Sequence, residues 1–533
     1  HDPFSSQARA RNIKHFPYPQ VTVSSMSNPP PLPPSIQASI EGTHADTVRA
    51  FETHKTRPYE WRLAQMRGLK AMVMERQEEM ITAMMKDLGR PRAECDLGEM
   101  SGLKISFDTF FAELKGWMSP DPRPIWGLLA PGKGEVRPEP MGSVLIIAPF
   151  NFPFLLTLKP LMGCIAAGCC AVVKPSELVP ACSALLAKHL PSYLDPSCFR
   201  VVQGGAAETA SLLQLRWDKI VFTGSTRVGK VVAAAAARHL TPCLLECGGK
   251  NAAFVDDKVQ SMAVIGRRLV WGRTFNCGQT CLAPDYVLCM ESSLQPLLDA
   301  LLKAVEDAFG DDPSKSPDLS RVINSAAATR LKGVIEGTSG TVVCGGRVEV
   351  GERYVSPTII VNPKLTDQVM VEESFGPVLC IITVSSVDDA VSKHNKVSGK
   401  HPLAFYPFSS NRRVIEELLT RVRSGGVSVN DVICHAGMRN MPFGGLGDSG
   451  MGCYFGQYSF EAFSHRRGVF HKWLNYDNEL CDPSLRYAPS TPTKVMVLQI
   501  GTMIPDLPPL PSLSPKSVIL LAGTVLALWY LRQ

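Results

Sequence analysis

The 533-residue chain lacks most of the features that announce a specialised role. It has no basic stripe: 55 Lys and Arg stand against 49 Asp and Glu, the net charge is only +6, and the cations are scattered. The electrostatic footprint of a nucleic-acid binder is therefore missing. Neither a CxxC pair nor an HExxH segment occurs, so no metal site is expected. No secretory h-region opens the chain. Its sixteen cysteines are accordingly expected to be free thiols of a reducing compartment, since a chain this long needs no disulfide framework. No internal repeat of fixed period is visible.

What is present is the composition of an ordinary globular protein, 45% hydrophobic and 20% charged, long enough for two or three domains. Residues 1–40, with "NPPPLPPS" (Asn28–Ser35), are expected to form a disordered leader. At the other end a Pro-rich linker over 476–516 precedes an apolar segment over 517–533. Its core, Val518–Leu531, is fourteen uncharged residues. As a helix that run covers roughly 21 Å, against roughly 30 Å of bilayer hydrocarbon. A buried helix or docking tail is one reading. The linker and the apolar character on every face favour a thin or tilted membrane anchor.

Between these ends a helical stretch runs from Glu41 to about Leu114, followed by a Pro- and Gly-rich arm or hairpin, Ser119–Pro140. Short apolar runs then alternate with helical segments: "SVLIIAPF", "CAVVKP", "FRVVQG" and "KIVFTG". Continuous Val/Ile runs separated by helices predict a parallel sheet covered on both faces. The fold class is α/β, a doubly wound Rossmann-like domain over 41–120 and 141–249. A second α/β domain spans 250–431, where the rhythm resumes in "NAAFVDD", "YVLCM", "TVVCGG", "PTIIVNP", "PVLCIITV" and "GGVSVND".

In open parallel sheets, ligands bind beyond the carboxyl ends of the strands. Asn151 lies there, flanked by aromatics and proline, and so do Lys174 and Glu177 of "VVKPSE". Gly224 and Ser225 make a turn entering a helix, whose N–H groups suit a phosphate, although the turn is not a GxGxxG fingerprint. Glu246 closes an apolar run, where low dielectric raises a carboxyl pKa and suits it to base work. In "FNCGQTC", Cys277 and Cys281 stand four residues apart, and spacing alone does not say which of them, if either, reacts.

Seven segments occur in this order: "PFNFP", "VVKPSE", "FTGSTRVGK", "LECGGKN", "NCGQTC", "EESFGPV" and "PFGGLGDSGMG". In order and spacing they resemble the aldehyde dehydrogenase superfamily from about Thr43 to Lys472. "GQTCLAPDYV" and "SGMGCYFGQYSFEAFSHRR" are most similar to its class 3, membrane-anchored fatty aldehyde dehydrogenase group. The resemblance implies that Cys281 is the nucleophile and Cys277 a bystander. Asn151 and the Cys281 backbone N–H would hold the oxyanion, and Glu246 would activate the hydrolytic water. Lys174 and Glu177 would hold the adenosine ribose, Ser225 with Gly224 the pyrophosphate, and Glu373 and Phe375 the nicotinamide riboside.

NAD is the implied cofactor, with NADP possible in this class. A lipophilic, long-chain fatty aldehyde is the implied substrate, with apocarotenoid aldehydes as the alternative. The resemblance further implies a homodimer through an arm formed by 121–140 and 454–475. It also implies attachment to the membrane, the endoplasmic reticulum by default, facing the cytosol. Two residues depart from the family pattern: Cys247 replaces a leucine, and Asp448 puts a charge where asparagine is usual. A CoA-acylating enzyme would not need Glu246, and a catalytically silent binding member would not keep all of Asn151, Glu246 and Cys281. A cofactor-free cysteine hydrolase would need an oriented histidine, which the sequence does not suggest.

Overall fold

The computed structural model describes residues 31–125, 129, 132–397, 401–472 and 484–496. Its first sheet runs in the spatial order Phe199–Val201, Cys170–Lys174, Ser143–Ile147, Lys219–Gly224, Cys243–Cys247, with Gly450–Met451 added antiparallel at the end. Ser143–Ile147 and Cys170–Lys174 are buried at every residue, because helices cover both faces. That is why these strands are unbroken apolar runs rather than alternating ones. The strand order reverses between Ser143–Ile147 and Lys219–Gly224, which pair in parallel. A crevice therefore opens beyond their carboxyl ends, where Asn151 and Ser225 follow.

The second sheet has seven strands: Thr341–Cys344, Thr358–Val361, Val378–Val384, Tyr286–Met290, Ala252–Val255, Ala404–Phe408 and Gly426–Val427. All pair in parallel except Thr341–Cys344. Sequence pattern does not find Ala404–Phe408, because Pro407 sits inside it. The strand tolerates that proline because its neighbour Gly426–Val427 pairs only with Ala404 and Phe405 and has ended by Pro407.

One expectation is corrected at the N-terminal end. The helix Pro34–Glu52 begins inside the expected leader, with Pro34 in its first turn, where a missing N–H costs nothing. Ile40 is buried with Leu145, Val172 and Trp217, so residues 34–40 belong to the fold. The helical stretch from Glu41 to Leu114 is a succession of helices. It breaks after Glu52 and again at Gly89, whose left-handed φ of 59° ends Gln77–Leu88.

A third, three-stranded sheet joins Asp121–Arg123, Gly132–Pro140 and Ser464–Lys472, the last two through a nine-pair antiparallel ladder. Ser464–Lys472 is its edge strand and is exposed along most of its length. Among the described residues no helix is long and apolar enough to cross a membrane. The apolar segment 517–533 lies outside the described residues, as do residues 1–30 of the expected leader and most of the linker.

Candidate active site

The site is built around an unusual loop. After the helix Met262–Thr274 the chain places Asn276, Cys277 and Gly278 in succession at φ of 53°, 54° and 71°. Glycine and asparagine tolerate that region, whereas a cysteine there stores of order 1–3 kcal/mol of strain. Side-chain bonds hold the loop in place. Asn276 accepts from Arg90 Nε (3.0 Å) and donates to the backbone carbonyls of Asn151 (2.9 Å) and Gln279 (3.2 Å). Gln279 donates to the carbonyls of Asn276 (3.1 Å) and Arg321 (3.0 Å).

The loop separates the two thiols. Cys277 is wholly buried among Ala252, Phe254 and Leu331 in the core of the second domain, and burial pushes its thiol up to about 12. Cys281 instead reaches the wall of a cavity of about 300 Å³. Its carbonyl is fixed by Asn251 Nδ2 at 2.7 Å. Most of the cavity wall is apolar, with Phe152, Leu155, Trp271, Phe275 and Phe443 among its residues. Among the described residues no histidine lines it.

Asn151 is buried, and its Nδ2 donates to the Gln279 carbonyl at 3.0 Å, two residues before Cys281. An amide carries two protons, so one donor remains beyond that bond; neither Asn151 nor Glu246 is among the described residues that line the cavity. Glu246 closes the strand Cys243–Cys247 and is fully buried, and neither carboxylate oxygen has a hydrogen-bond partner. Burial raises its pKa well above the usual carboxylate range, only partly offset by the Gly445 backbone. Lys250 is not its counter-ion, since it pairs with Asp285 at 2.6 Å. Burial, then the nearby charges of Glu246 and Glu373, push the Cys281 thiol up as well. These surroundings favour the neutral form of the Cys281 thiol.

The other expected residues lie at or beyond strand ends and in the segment that packs against Gly248. Lys174 Nζ and Glu177 Oε2 form an ion pair at 2.7 Å, Lys174 buried and Glu177 half-exposed. Ser225 caps the helix Thr226–Ala237 by accepting from the Val228 N–H, and the N–H groups of Thr226 and Arg227 suit a phosphate. Gly224 is tied to glycine by close approach: a Cβ there would come within 2.6 Å of the Phe222 ring. Glu373 packs against the backbone of Gly248, where any Cβ would lie 2.3 Å from its carboxylate, and burial lifts its pKa to about 8. Phe375 meets Phe150 edge-on at 5.8 Å, next to Asn151. This donor set fits a dinucleotide: a carboxylate for ribose hydroxyls, a helix N-terminus for pyrophosphate and aromatic walls for a planar ring.

The two departures are accommodated locally. Asp448 pairs with Lys230 at 3.4 Å, and its carbonyl accepts from Thr226 Oγ1, so the added charge is matched beside the crevice helix. Cys247 is buried in the core with Phe222 and Val232.

Three supporting residues were missed in the sequence. Arg90, wholly buried, pairs with Glu99 (2.7 Å), bonds Asn276 Oδ1 and caps the Asn151 carbonyl. Glu99 accepts from the N–H groups of Phe154 and Leu155, both at 2.7 Å. Asn251 ties together Cys281, Ala283 and Ala404. Only Asn251 carried a signal, as the last residue of "LECGGKN".

This arrangement of thiol, amide, buried carboxyl and dinucleotide crevice defines an oxidoreductase of carbonyl compounds. The chain matches the aldehyde dehydrogenase family over residues 33–469, belongs to that family, and is an NAD(P)-linked aldehyde dehydrogenase. It is 43% identical over 452 residues to aldehyde dehydrogenase family 3 member B2 of Mus musculus, covering 85% of this chain and 93% of the relative. Family 3 member B1 of Homo sapiens is 41% identical over 460 residues, covering 86% and 97%. Among solved structures, the substrate-bound Staphylococcus aureus AldH superposes with a TM-score of 0.82 at 34% identity, covering 86% of this chain and 99% of that one. A Mycobacterium tuberculosis aldehyde dehydrogenase complexed with NAD+ gives a TM-score of 0.72 at 26% identity, covering 81% and 90%.

Proposed function

We propose that this enzyme oxidises lipophilic, long-chain aldehydes to carboxylic acids through a thioester on Cys281. The observation that carries the reading is the position of Cys281 on the wall of a largely apolar cavity, while Cys277 is sealed in the core. The Cys281 sulfur loses its proton and adds to the aldehyde carbon, forming a thiohemiacetal. The oxyanion takes the free proton of the Asn151 amide and the Cys281 backbone N–H, donors worth roughly 2.7–4 kcal/mol of barrier each. NAD(P), when bound, supplies the acceptor for the hydride. Glu246, once ionised, removes a proton from water as the water attacks the thioester, releasing the acid and regenerating the thiol. Because Glu246 is unpaired and raised in pKa, its affinity for that proton is high.

Lys174, Glu177, Gly224, Ser225, Glu373 and Phe375 hold the dinucleotide in this reading, and the Glu177 carboxylate favours a free 2′-hydroxyl, hence NAD. The reading includes a homodimer through the three-stranded sheet, supported by its exposed edge strand. It also includes attachment to a membrane by the apolar segment Val518–Leu531, supported by that segment's composition.

The test is NADH formation by a chain ending before Pro505, across saturated aldehydes of increasing length and one apocarotenal. We expect kcat/KM to climb with chain length. Uniformly slow saturated chains beside a fast polyene would overturn the fatty-aldehyde assignment and favour apocarotenoids.

A further inference from the structure

We propose that Lys159 is a specificity-determining residue that selects aldehydes carrying a carboxylate on the end remote from the carbonyl. The inference rests on the reading of the cavity as the aldehyde site. Lys159 is the only charged residue in the helix Leu155–Ala167, whose sequence, "LLTLKPLMGCIAA", is otherwise apolar or uncharged. It is 91% buried and lines the same cavity as Cys281. Its ammonium sits 3.5 Å from the centroid of the Phe455 ring, and among the described residues it makes no ion pair or hydrogen bond.

An unpaired buried ammonium is costly, and a ring face compensates it only in part. The other titratable groups on the cavity wall are Cys281, Cys434 and Arg439; no Asp or Glu lines it. Burial alone brings the lysine down to about 7, with no neighbouring charge contributing. The cavity therefore supplies half of an ion pair. A lysine with no structural partner in a ligand site marks a place where the ligand brings the partner. A substrate carboxylate meets that requirement, while the apolar residues that share the cavity with Lys159 and Cys281 accept the methylene chain. Such a substrate is an ω-oxo acid, which the known reaction turns into a dicarboxylic acid.

The test compares ω-oxo acids with their methyl esters across a series of lengths, in the intact enzyme and in Lys159→Met and Lys159→Gln. Alongside it, calorimetry measures binding of α,ω-dicarboxylic acids and of monocarboxylic acids of equal length. We expect at least a tenfold preference for the acid over its ester at one optimal length, lost in both variants while ester turnover persists. The preference should also fall as pH rises through about 7, as the free lysine loses its proton. Equal kcat/KM for acid and ester, or a preference that survives in Lys159→Met, overturns the proposal. If no long aldehyde turns over at all, the wider reading fails. Calorimetry still decides the Lys159 question then: dicarboxylate binding that is tighter and lysine-dependent upholds it, and indifference to the second carboxylate overturns it.

Discussion

Replacing Asn151 with alanine separates a chemical role from a structural one, because the two predict different sizes of effect. In the folded protein the Asn151 amide donates to the Gln279 carbonyl, but that carbonyl keeps a second donor, Asn276 Nδ2 at 3.2 Å. The Asn151 backbone carbonyl keeps Arg90 and Asn276 whichever side chain is present. One of two bonds to an acceptor is lost, so the stability cost should be about 1 kcal/mol. In a chain of this size that lowers Tm by only about 1 °C. If the amide's free proton stabilises the oxyanion, the burst rate of NADH formation should fall by roughly 10²–10³-fold, or about 2.7–4 kcal/mol. Stopped-flow NADH fluorescence beside thermal denaturation reads both quantities on one preparation. A burst rate reduced by less than about tenfold, about 1.4 kcal/mol, would refute the oxyanion role. A large loss of Tm with a proportionate loss of rate would make Asn151 a loop brace only.

Other outcomes are equally specific. Cys281→Ala should abolish turnover, whereas Cys277→Ala removes one buried atom, costs about 0.8 kcal/mol, and should leave most activity; equal losses would overturn the assignment. Burial raises the pKa of Glu246, so thioester hydrolysis should speed up as pH rises through that raised value, and in Glu246→Gln the dependence should vanish, leaving a burst followed by a stall. The same raised pKa means that the fold loses stability as pH climbs above the unfolded carboxyl value of about 4.3, and Glu246→Gln should lose less over that range in pH-dependent denaturation. Glu177→Gln removes the carboxylate paired with Lys174 and should lower KM for NADP relative to NAD; an unchanged ratio would remove Glu177 from cofactor selection. Asn251→Asp turns a donor to two carbonyls into an acceptor, so both Tm and burst rate should fall sharply; a variant as stable and active as the parent would remove Asn251 from positioning the nucleophile.

Much of this site was legible because it lies where local pattern changes. Asn151, Lys174, Ser225 and Glu246 lie at or just beyond the carboxyl ends of apolar strands, and a parallel sheet delivers all such positions to one end. The choice between Cys277 and Cys281 came only through the resemblance, since the two look alike in sequence. What distinguishes them is the left-handed run Asn276–Gly278, held by side chains from distant segments. Arg90 and Glu99 were not legible, because an arginine nearly two hundred residues from its acceptor gives no local sign of that partnership. Lys159 was hidden for the opposite reason: its helix is so apolar that the pattern announced a core element and nothing more. The upward push on the Cys281 thiol was not legible either, because burial beside two carboxyl groups is a property of the packed site.

The central claim is that Cys281 carries the acyl group. It is tested most directly by mixing Glu246→Gln enzyme with NAD and a long-chain aldehyde, quenching in acid, and mapping the adduct by peptide mass. The account predicts one acyl group per chain, on the peptide containing Cys281 and lost on hydroxylamine treatment. An acyl group on Cys277, or NADH formed with no adduct on either cysteine, would contradict it.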